Sequence, residues 1–441
     1  MKRIFTFLFV VLFSAGVLAQ KNNSTAQRLA WFKNAKLGIF IHWGIYSVDG
    51  ITASWPMKWK KMSWEDYMKQ STGFTAKNYH PDQWAQLFKE AGARYAVLTT
   101  KHHDGFALWP TRYSKLNCVD HSPAKRDLIG PYAEAMRKAG IKVGFYFSLL
   151  DWSNKDYHVD FPRPEKTLKK LYPQPAWEKH LNAHQRFLRF MFGQLSELSH
   201  RYHPDLFWFD GDWEHPAEWW QAQSLKDSLL TWDKKVVVNG RLRGYGDYQT
   251  PEQGIPTTPP KGPWEFCMTI NDHWGYVPSD TNYKPAAQII RTFVKIISEG
   301  GNLLLDVGPK PDGTIDSADV RILKTLGAWI RRNKEAVYGS TAGLPPGHFY
   351  GPTLLSKDKK TLYLALFGQP KDYIGLAGVR NKILNIRVLG TDKTLKWVRN
   401  GGAKWKNIPG LLRIEAPSSK DLDPYVTILA VDLEGPIDIY Q

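Results

Sequence analysis

Cysteine is nearly absent from this chain of 441 residues, which contains only Cys118 and Cys267. Two thiols do not make the disulfide framework that stabilises small secreted domains, and no Cys-x-x-Cys or Cys/His spacing indicates zinc. Buried free thiols are the simpler expectation, although an exported chain could pair the two. The fold must therefore rest on its hydrophobic core, for which a content of 43% hydrophobic residues is sufficient.

Long apolar runs are also scarce, and the N-terminal stretch Ile4–Phe13 is too short to span a bilayer. Lys2 and Arg3 precede this stretch, and the small-residue site Val17–Ala19 follows it, which is typical of a cleaved secretory signal over residues 1–19. No cysteine comes directly after this site, so we expect no lipid or membrane anchor. The mature protein is predicted to be exported, as a periplasmic or secreted protein.

Acidic charge is in deficit, since the chain carries a net charge of +17. Export and the lack of any nucleic-acid-binding motif argue against a nucleic-acid partner, and a solvated basic surface is the ordinary explanation. A basic rim around a site for an acidic, sulfated glycan is the alternative. The basic residues near predicted strand ends are Lys58, Lys60, Lys61, Lys166, Lys169, Lys170, Arg241, Arg243 and Lys261.

Short apolar runs alternate with helical patterns up to about residue 340, which is typical of βα units. Seven runs are good strand candidates, one fewer than a closed barrel needs. We predict a (β/α)8-like (TIM) barrel, possibly irregular, over residues 20–340, followed by an antiparallel β-sandwich over residues 341–441. The candidate barrel strands are Leu37–Ile41, Tyr95–Thr99, Lys142–Phe147, Leu206–Phe209, Val236–Val238, Phe266–Ile270 and Leu303–Val307.

Reactive side chains follow three of these strands, where barrel enzymes place their chemistry. Asp210 ends the run LFWFD, a position suited to a nucleophile or general base, although aspartates there also serve as helix caps. His42 ends the first strand, and His102 and His103 follow the second. Vicinal histidines point in different directions and have no third ligand at motif spacing, so recognition of hydroxyl groups is favoured over metal binding.

Seven motifs occur in the order found in the α-L-fucosidases of glycoside hydrolase family 29, which the chain resembles. The resemblance covers nearly the whole barrel region, and it implies a barrel with a C-terminal β-sandwich that hydrolyses α-L-fucosides with retention of configuration. The motifs are FIHWG, KHHDGF, FYFSLLDW, LFWFDGDW, VVVNGR, WEFCMTIN and GGNLLLDVGP.

This resemblance implies a role for each matching residue. Asp210 matches the nucleophile, and His42, His102 and His103 match the groups that bind the hydroxyls of fucose. The remaining sugar-binding positions are matched by Trp55, Tyr146, Trp208 and Arg241. No cofactor or metal is implied, and the partner is an oligosaccharide or polysaccharide that ends in α-L-fucose or a related sugar.

The acid/base lies on a variable loop in this family, so motif matching is weaker there. Glu252 follows Arg241 by 11 residues on a predicted loop, whereas Glu265 opens a predicted strand and has an equally good structural explanation. We favour Glu252, because a proton donor that faces the mouth of a barrel is best placed on a loop. Asp212 and Glu214 are too close in sequence to Asp210 to face it across a glycosidic bond.

Two positions depart from the family pattern. Ser54 precedes Trp55 where many relatives carry glutamate, and Asp306 replaces the usual asparagine. Because L-galactose differs from L-fucose only by a hydroxyl at C6, an apolar pocket rejects it poorly. An exo-α-L-galactosidase, a fucosidase for sulfated algal glycans and a non-catalytic carbohydrate-binding protein are therefore the alternatives to a plain exo-α-L-fucosidase. The sequence does not predict an oligomeric state.

Overall fold

The computed structural model describes residues 25–440, so the predicted signal over residues 1–19 lies outside the described part. Among the residues described, no helix is both long and apolar enough to cross a membrane. Cys118 and Cys267 are buried free thiols, as the composition favours.

A curved parallel sheet of seven strands forms the core of the larger unit, in the order β5-β4-β3-β2-β1-β7-β6. Nearly every strand residue is buried, because one face of the sheet lines the interior of the barrel and helices cover the other face. The strands are β1 (Leu37–Ile41), β2 (Tyr95–Lys101), β3 (Lys142–Ser148), β4 (Leu206–Asp210), β5 (Val237–Val238), β6 (Glu265–Thr269) and β7 (Asn302–Val307).

The place of an eighth strand, between β5 and β6, is taken by an irregular segment, residues 247–253. Isolated bridges join it to both neighbours: Asn239 pairs with Tyr248, and Glu252 pairs with Cys267. Pro251 has no N–H to donate, but its carbonyl accepts a bond of 3.1 Å from the Cys267 amide. The predicted barrel is thus confirmed as an irregular one, with seven regular strands in the described residues.

Helices surround the sheet on its outer side. Gly92 and Gly140 end two of them in the left-handed conformation, with φ of 91° and 79°, as the sequence predicts for short connections to the next strand. The helices are α1 (residues 25–33), α2 (Trp55–Lys58), α3 (Trp64–Lys69), α4 (Pro81–Ala91), α5 (Ile129–Ala139), α6 (Glu165–Leu171), α7 (Ala183–Tyr202), α8 (Ala217–Trp220), α9 (Ala222–Trp232), α10 (Ala286–Ser298), α11 (Ser317–Arg332) and α12 (Lys334–Tyr338).

The C-terminal part is a sandwich of two antiparallel sheets, ordered β12-β15-β10-β9-β8 and β11-β14-β13. In β10, Leu362 and Leu364 face the smaller sheet, while Tyr363 and Ala365 pack against the barrel unit. The strands are β8 (Ser340–Ala342), β9 (Thr353–Ser356), β10 (Thr361–Leu366), β11 (Tyr373–Leu376), β12 (Ile383–Val388), β13 (Trp397–Asn400), β14 (Leu411–Glu415) and β15 (Thr427–Leu433).

This alternation buries both faces of β10, so the sandwich is packed tightly onto the barrel. Trp329 of α11 reinforces the contact, since its buried indole N–H donates a bond of 2.8 Å to the carbonyl of Val426.

Candidate active site

The C-terminal ends of the strands bring Asp210 and its partners together. Strand register places Ser148 beside Asp210 and Tyr146 beside Trp208. The Asp210 carboxylate accepts a bond of 2.9 Å from the Tyr146 hydroxyl and another of 2.8 Å from Arg241. Its side chain is 11% exposed, so the carboxylate lies at the floor of a site that opens at the mouth of the barrel.

Arg241 joins the two predicted catalytic carboxylates. One terminal nitrogen of its guanidinium binds Asp210, and the other binds Glu252. The guanidinium carbon also lies 4.5 Å from the ring centroid of Trp208, a cation–π contact. The side chain of Glu252 is 36% exposed, so a carboxyl group accessible from the mouth stands beside a buried one.

Glu265, the second candidate for the acid/base, is fully buried and is the first residue of β6. Its carboxylate accepts bonds from the Tyr95 hydroxyl and, at 2.8 Å, from the Trp208 indole N–H. Burial raises the pKa of Glu265 to about 7, against the opposing effect of these two donors. The structure therefore brings Glu252, and not Glu265, into the open part of the site.

The three predicted histidines line one side of the site, and each is oriented by a hydrogen bond through Nδ1. His42 contacts the Asp306 carboxylate at 2.7 Å, and His102 contacts the Ser54 hydroxyl at 2.6 Å. Burial raises the pKa of Asp306 to about 6. Ser54 and Asp306 are thus direct partners of histidines in the site.

His103 has a defined tautomer. Its Nδ1 lies 2.6 Å from the hydroxyl of Ser148, which itself donates to the carbonyl of Leu150 at 2.8 Å. A serine has only one hydroxyl proton, and Ser148 donates it to Leu150, so Ser148 must accept a hydrogen bond from a protonated Nδ1 of His103. In a neutral His103, Nε2 then carries no proton and is an acceptor. Nε2 is buried without a hydrogen-bond partner in the described residues and lies 3.7 Å from Asp210 Oδ2.

Aromatic rings cover the remaining walls. Trp208 and Tyr146 stack with a centroid distance of 5.7 Å, and Trp55 meets the edge of His103 at 5.6 Å. The sequence analysis did not single out Trp274, whose ring lies 4.9 Å from that of His42, or Ser148. Trp274 could have been recognised as an aromatic residue that follows the end of β6, and Ser148 lies within the motif FYFSLLDW, where no role was assigned to it.

Some of the basic residues assigned to a possible sulfate-binding rim are paired within the protein. Lys58 Nζ lies 3.0 Å from Glu214, Lys169 pairs with Glu165 of its own helix, and Arg241 is held by two carboxylates. These pairs reduce the positive charge that is available to an acidic glycan. Among the described residues, no group of three or more histidine, cysteine, aspartate or glutamate residues could hold a metal ion.

Paired carboxylates under a rim of aromatic rings suit cleavage of a glycosidic bond, the chemistry of the glycoside hydrolases. Comparison with known proteins identifies that class. Residues 14–335 match the α-L-fucosidase family. The tissue α-L-fucosidase of Bos taurus is 33% identical over 415 residues, which cover 85% of this chain and 83% of that protein.

Solved structures give the same result. α-L-Fucosidase isoenzyme 1 from Paenibacillus thiaminolyticus superposes with a TM-score of 0.83 at 31% identity, covering 93% of this chain and all of that one. A trapped covalent intermediate of a Bacteroides thetaiotaomicron α-L-fucosidase, with 2-fluoro-fucosyl fluoride, superposes with a TM-score of 0.79 at 26% identity over 93% and 96% of the two chains. The chain belongs to the α-L-fucosidase family.

The buried histidines give a testable prediction. Burial, with the nearby His42 and the neighbouring cations, lowers the pKa of His103 to about 3, and burial beside His103 and His42 also lowers the pKa of His102 well below its usual range. We therefore expect both rings to stay neutral from pH 8 to pH 5, with His103 protonated at Nδ1. Nitrogen-15 NMR of the imidazoles measures both properties. A His103 signal that titrates near pH 6 would contradict the assignment.

Proposed function

We propose that this protein is an exo-acting, retaining α-L-fucosidase that removes terminal α-L-fucose from glycans by double displacement. The observation that carries the proposal is the sharing of Arg241 by Asp210 and Glu252. Retaining glycosidases hold their two carboxyl groups about 5–5.5 Å apart. Two carboxylates bound to the two terminal nitrogens of one guanidinium are neighbours, which supports a mechanism that uses both.

In the proposed first step, Asp210 attacks the anomeric carbon while Glu252, in its protonated form, donates to the leaving oxygen. A covalent glycosyl-enzyme forms, and Glu252, now a base, removes a proton from the water that hydrolyses it. The bond between the Tyr146 hydroxyl and Asp210 orients the nucleophile. Covalent trapping of the Bacteroides relative by 2-fluoro-fucosyl fluoride supports the same chemistry here.

The substrate is proposed to enter with its terminal sugar against the histidines. Nε2 of His103 is an acceptor in this buried position, so it suits a sugar hydroxyl that donates to it. Buried Phe40, Tyr146 and Trp208 close the site from below, which favours a chain end over an internal residue. We retain the predicted export signal and the assignment of Trp55 to the sugar site as part of this proposal.

The first prediction concerns the nucleophile. Asp210→Ala should abolish turnover of aryl α-L-fucosides while the protein stays folded, because no other carboxylate can form the covalent intermediate. Added azide should restore part of the activity and give a product of inverted configuration, detected by NMR. Asp212→Asn is the matched control and should retain most of the activity. Near-wild-type turnover by folded Asp210→Ala would refute the assignment.

The second prediction concerns the acid/base. Glu252→Ala should leave kcat/KM for an aryl fucoside with a good leaving group nearly unchanged, since that group departs without protonation. For natural glycosides the same variant should lose roughly 10²–10⁴-fold, the usual contribution of general acid catalysis. Glu265→Gln is the control for a buried carboxyl group and should affect both substrates alike. If Glu265→Gln loses activity on natural glycosides alone and Glu252→Ala does not, the roles of the two glutamates are reversed.

The third prediction concerns the sugar. Ser54 is buried against His102, in the position where many relatives carry a carboxylate. We therefore expect aryl α-L-fucosides to be the better substrates, with aryl α-L-galactosides turned over within about 10²-fold of them, the discrimination an apolar pocket achieves against one added hydroxyl. Parallel assays at equal enzyme concentration measure the ratio. A preference for the galactoside would establish the alternative enzyme, and binding of either sugar without turnover would establish a non-catalytic protein.

A further inference from the structure

The segment that carries Glu252 is the least regular part of the barrel wall. On the β6 side, backbone bonds of 2.9–3.1 Å join Gln249, Pro251 and Gln253 to residues 263–267. On the β5 side, the backbone contacts are limited to the start of the segment, where the Asp247 amide donates to Val238 at 2.7 Å. A regular central strand is paired along both edges. On its β5 side, the position of this segment therefore depends on what holds its first residues.

A buried ion cluster holds the first residue, Asp247. Both oxygens of its carboxylate accept from the guanidinium of Arg28, with one bond of 2.8 Å, and Lys226 Nζ lies 2.7 Å away. The Val238 amide donates to the same carboxylate at 2.8 Å. The side chains of Arg28 and Asp247 are only 7% and 5% exposed. Although burial raises it, the pKa of Asp247 is kept below its usual value by bonds from Arg28 and by the nearby Lys226.

Arg28 belongs to α1, and this helix supplies a second contact to the segment. Phe32, one turn further along, packs on Tyr248 with a centroid distance of 4.1 Å, and both rings are buried. Arg28 also donates a bond of 2.8 Å to the carbonyl of Val236, directly before β5. One helix thus fixes the start of β5 and the first two residues of the segment that leads to Glu252.

Asp210 does not depend on this helix in the same way. It ends β4, which is paired in register with β3 through five residues, and it is oriented by Tyr146 and Arg241. The two carboxyl groups are therefore held by different parts of the structure. A change in α1 should displace the acid and leave the nucleophile in place, although the bond from Arg241 to Glu252 limits the displacement.

We infer that Arg28 and Phe32 of α1 are positioning residues for the general acid, which they act on through Asp247 and Tyr248. The inference rests on the proposed role of Glu252. Proton transfer requires the donor within hydrogen-bond reach of the leaving oxygen, and a displacement of about 1 Å at a reacting group can cost about 100-fold in rate. Protonation of the leaving group, rather than sugar binding, is the step that α1 supports.

The experiment compares Arg28→Ala with the wild type on a series of aryl α-L-fucosides of increasing leaving-group pKa. For the poorest leaving groups we expect kcat/KM of Arg28→Ala to fall about 10-fold or more below that of the wild type. For the best leaving groups it should stay within about two-fold of the wild-type value. The dependence of kcat/KM on leaving-group pKa therefore becomes steeper in the variant. Active sites are counted by trapping with 2-fluoro-fucosyl fluoride, the reagent that trapped the Bacteroides relative. Arg28→Lys, which keeps the charge, should recover part of the loss.

The matched control is Arg137→Ala, because this arginine also donates to backbone carbonyls, those of Tyr202 and His203, but contacts neither Asp247 nor Tyr248. It should lower stability without changing the leaving-group dependence. If Arg28→Ala does not fold, the milder Phe32→Leu decides in its place. Equal loss on all substrates would overturn the inference and leave α1 a purely stabilising element. If Glu252→Ala instead affected good leaving groups and natural glycosides equally, the proposed acid/base itself would be refuted.

Discussion

The guanidinium of Arg241 is bound by two carboxylates at once, and the remainder of the site is arranged around that contact. Two carboxylates in one partly buried site repel each other, and a cation that binds both of them offsets this repulsion. Arg241 supplies this cation and is itself supported from below by the face of Trp208. Without it, repulsion between the two carboxylates would favour a larger separation of Asp210 and Glu252.

The support continues down the barrel axis. The indole N–H of Trp208 donates to Glu265, which also accepts a hydrogen bond from the Tyr95 hydroxyl. The ring centroids of Tyr95 and of Trp31 in α1 lie 6.0 Å apart. The buried carboxyl group of Glu265 has two hydrogen-bond donors, so its hydrogen bonding is satisfied beneath the site. The glutamate that competes with Glu252 in the sequence therefore has a structural environment of its own.

Much of the fold follows from local patterns. The alternation in Thr361–Leu366 predicts β10 with its bounds unchanged, and the glycines before β2 and β3 predict left-handed helix ends. The segment around Glu252 could not be predicted as part of the wall, because Pro251 and the flanking Gly246 and Gly254 are typical of a loop. Its pairing comes from residues that are not adjacent to it in sequence. The orientation of His103 by Ser148 depends on strand register, which no local pattern encodes.

The place of Glu252 in the wall has a consequence for how such an enzyme diversifies. The groups proposed to hold the terminal sugar end regular strands, where an insertion or deletion would shift the register and disrupt the core. The segment in the eighth place is paired with its neighbours at isolated points, so a change in its sequence leaves the register of the regular strands intact while it moves Glu252. The proposed sugar-binding groups thus belong to the regular scaffold, whereas the proposed acid/base can be moved without disturbing that scaffold.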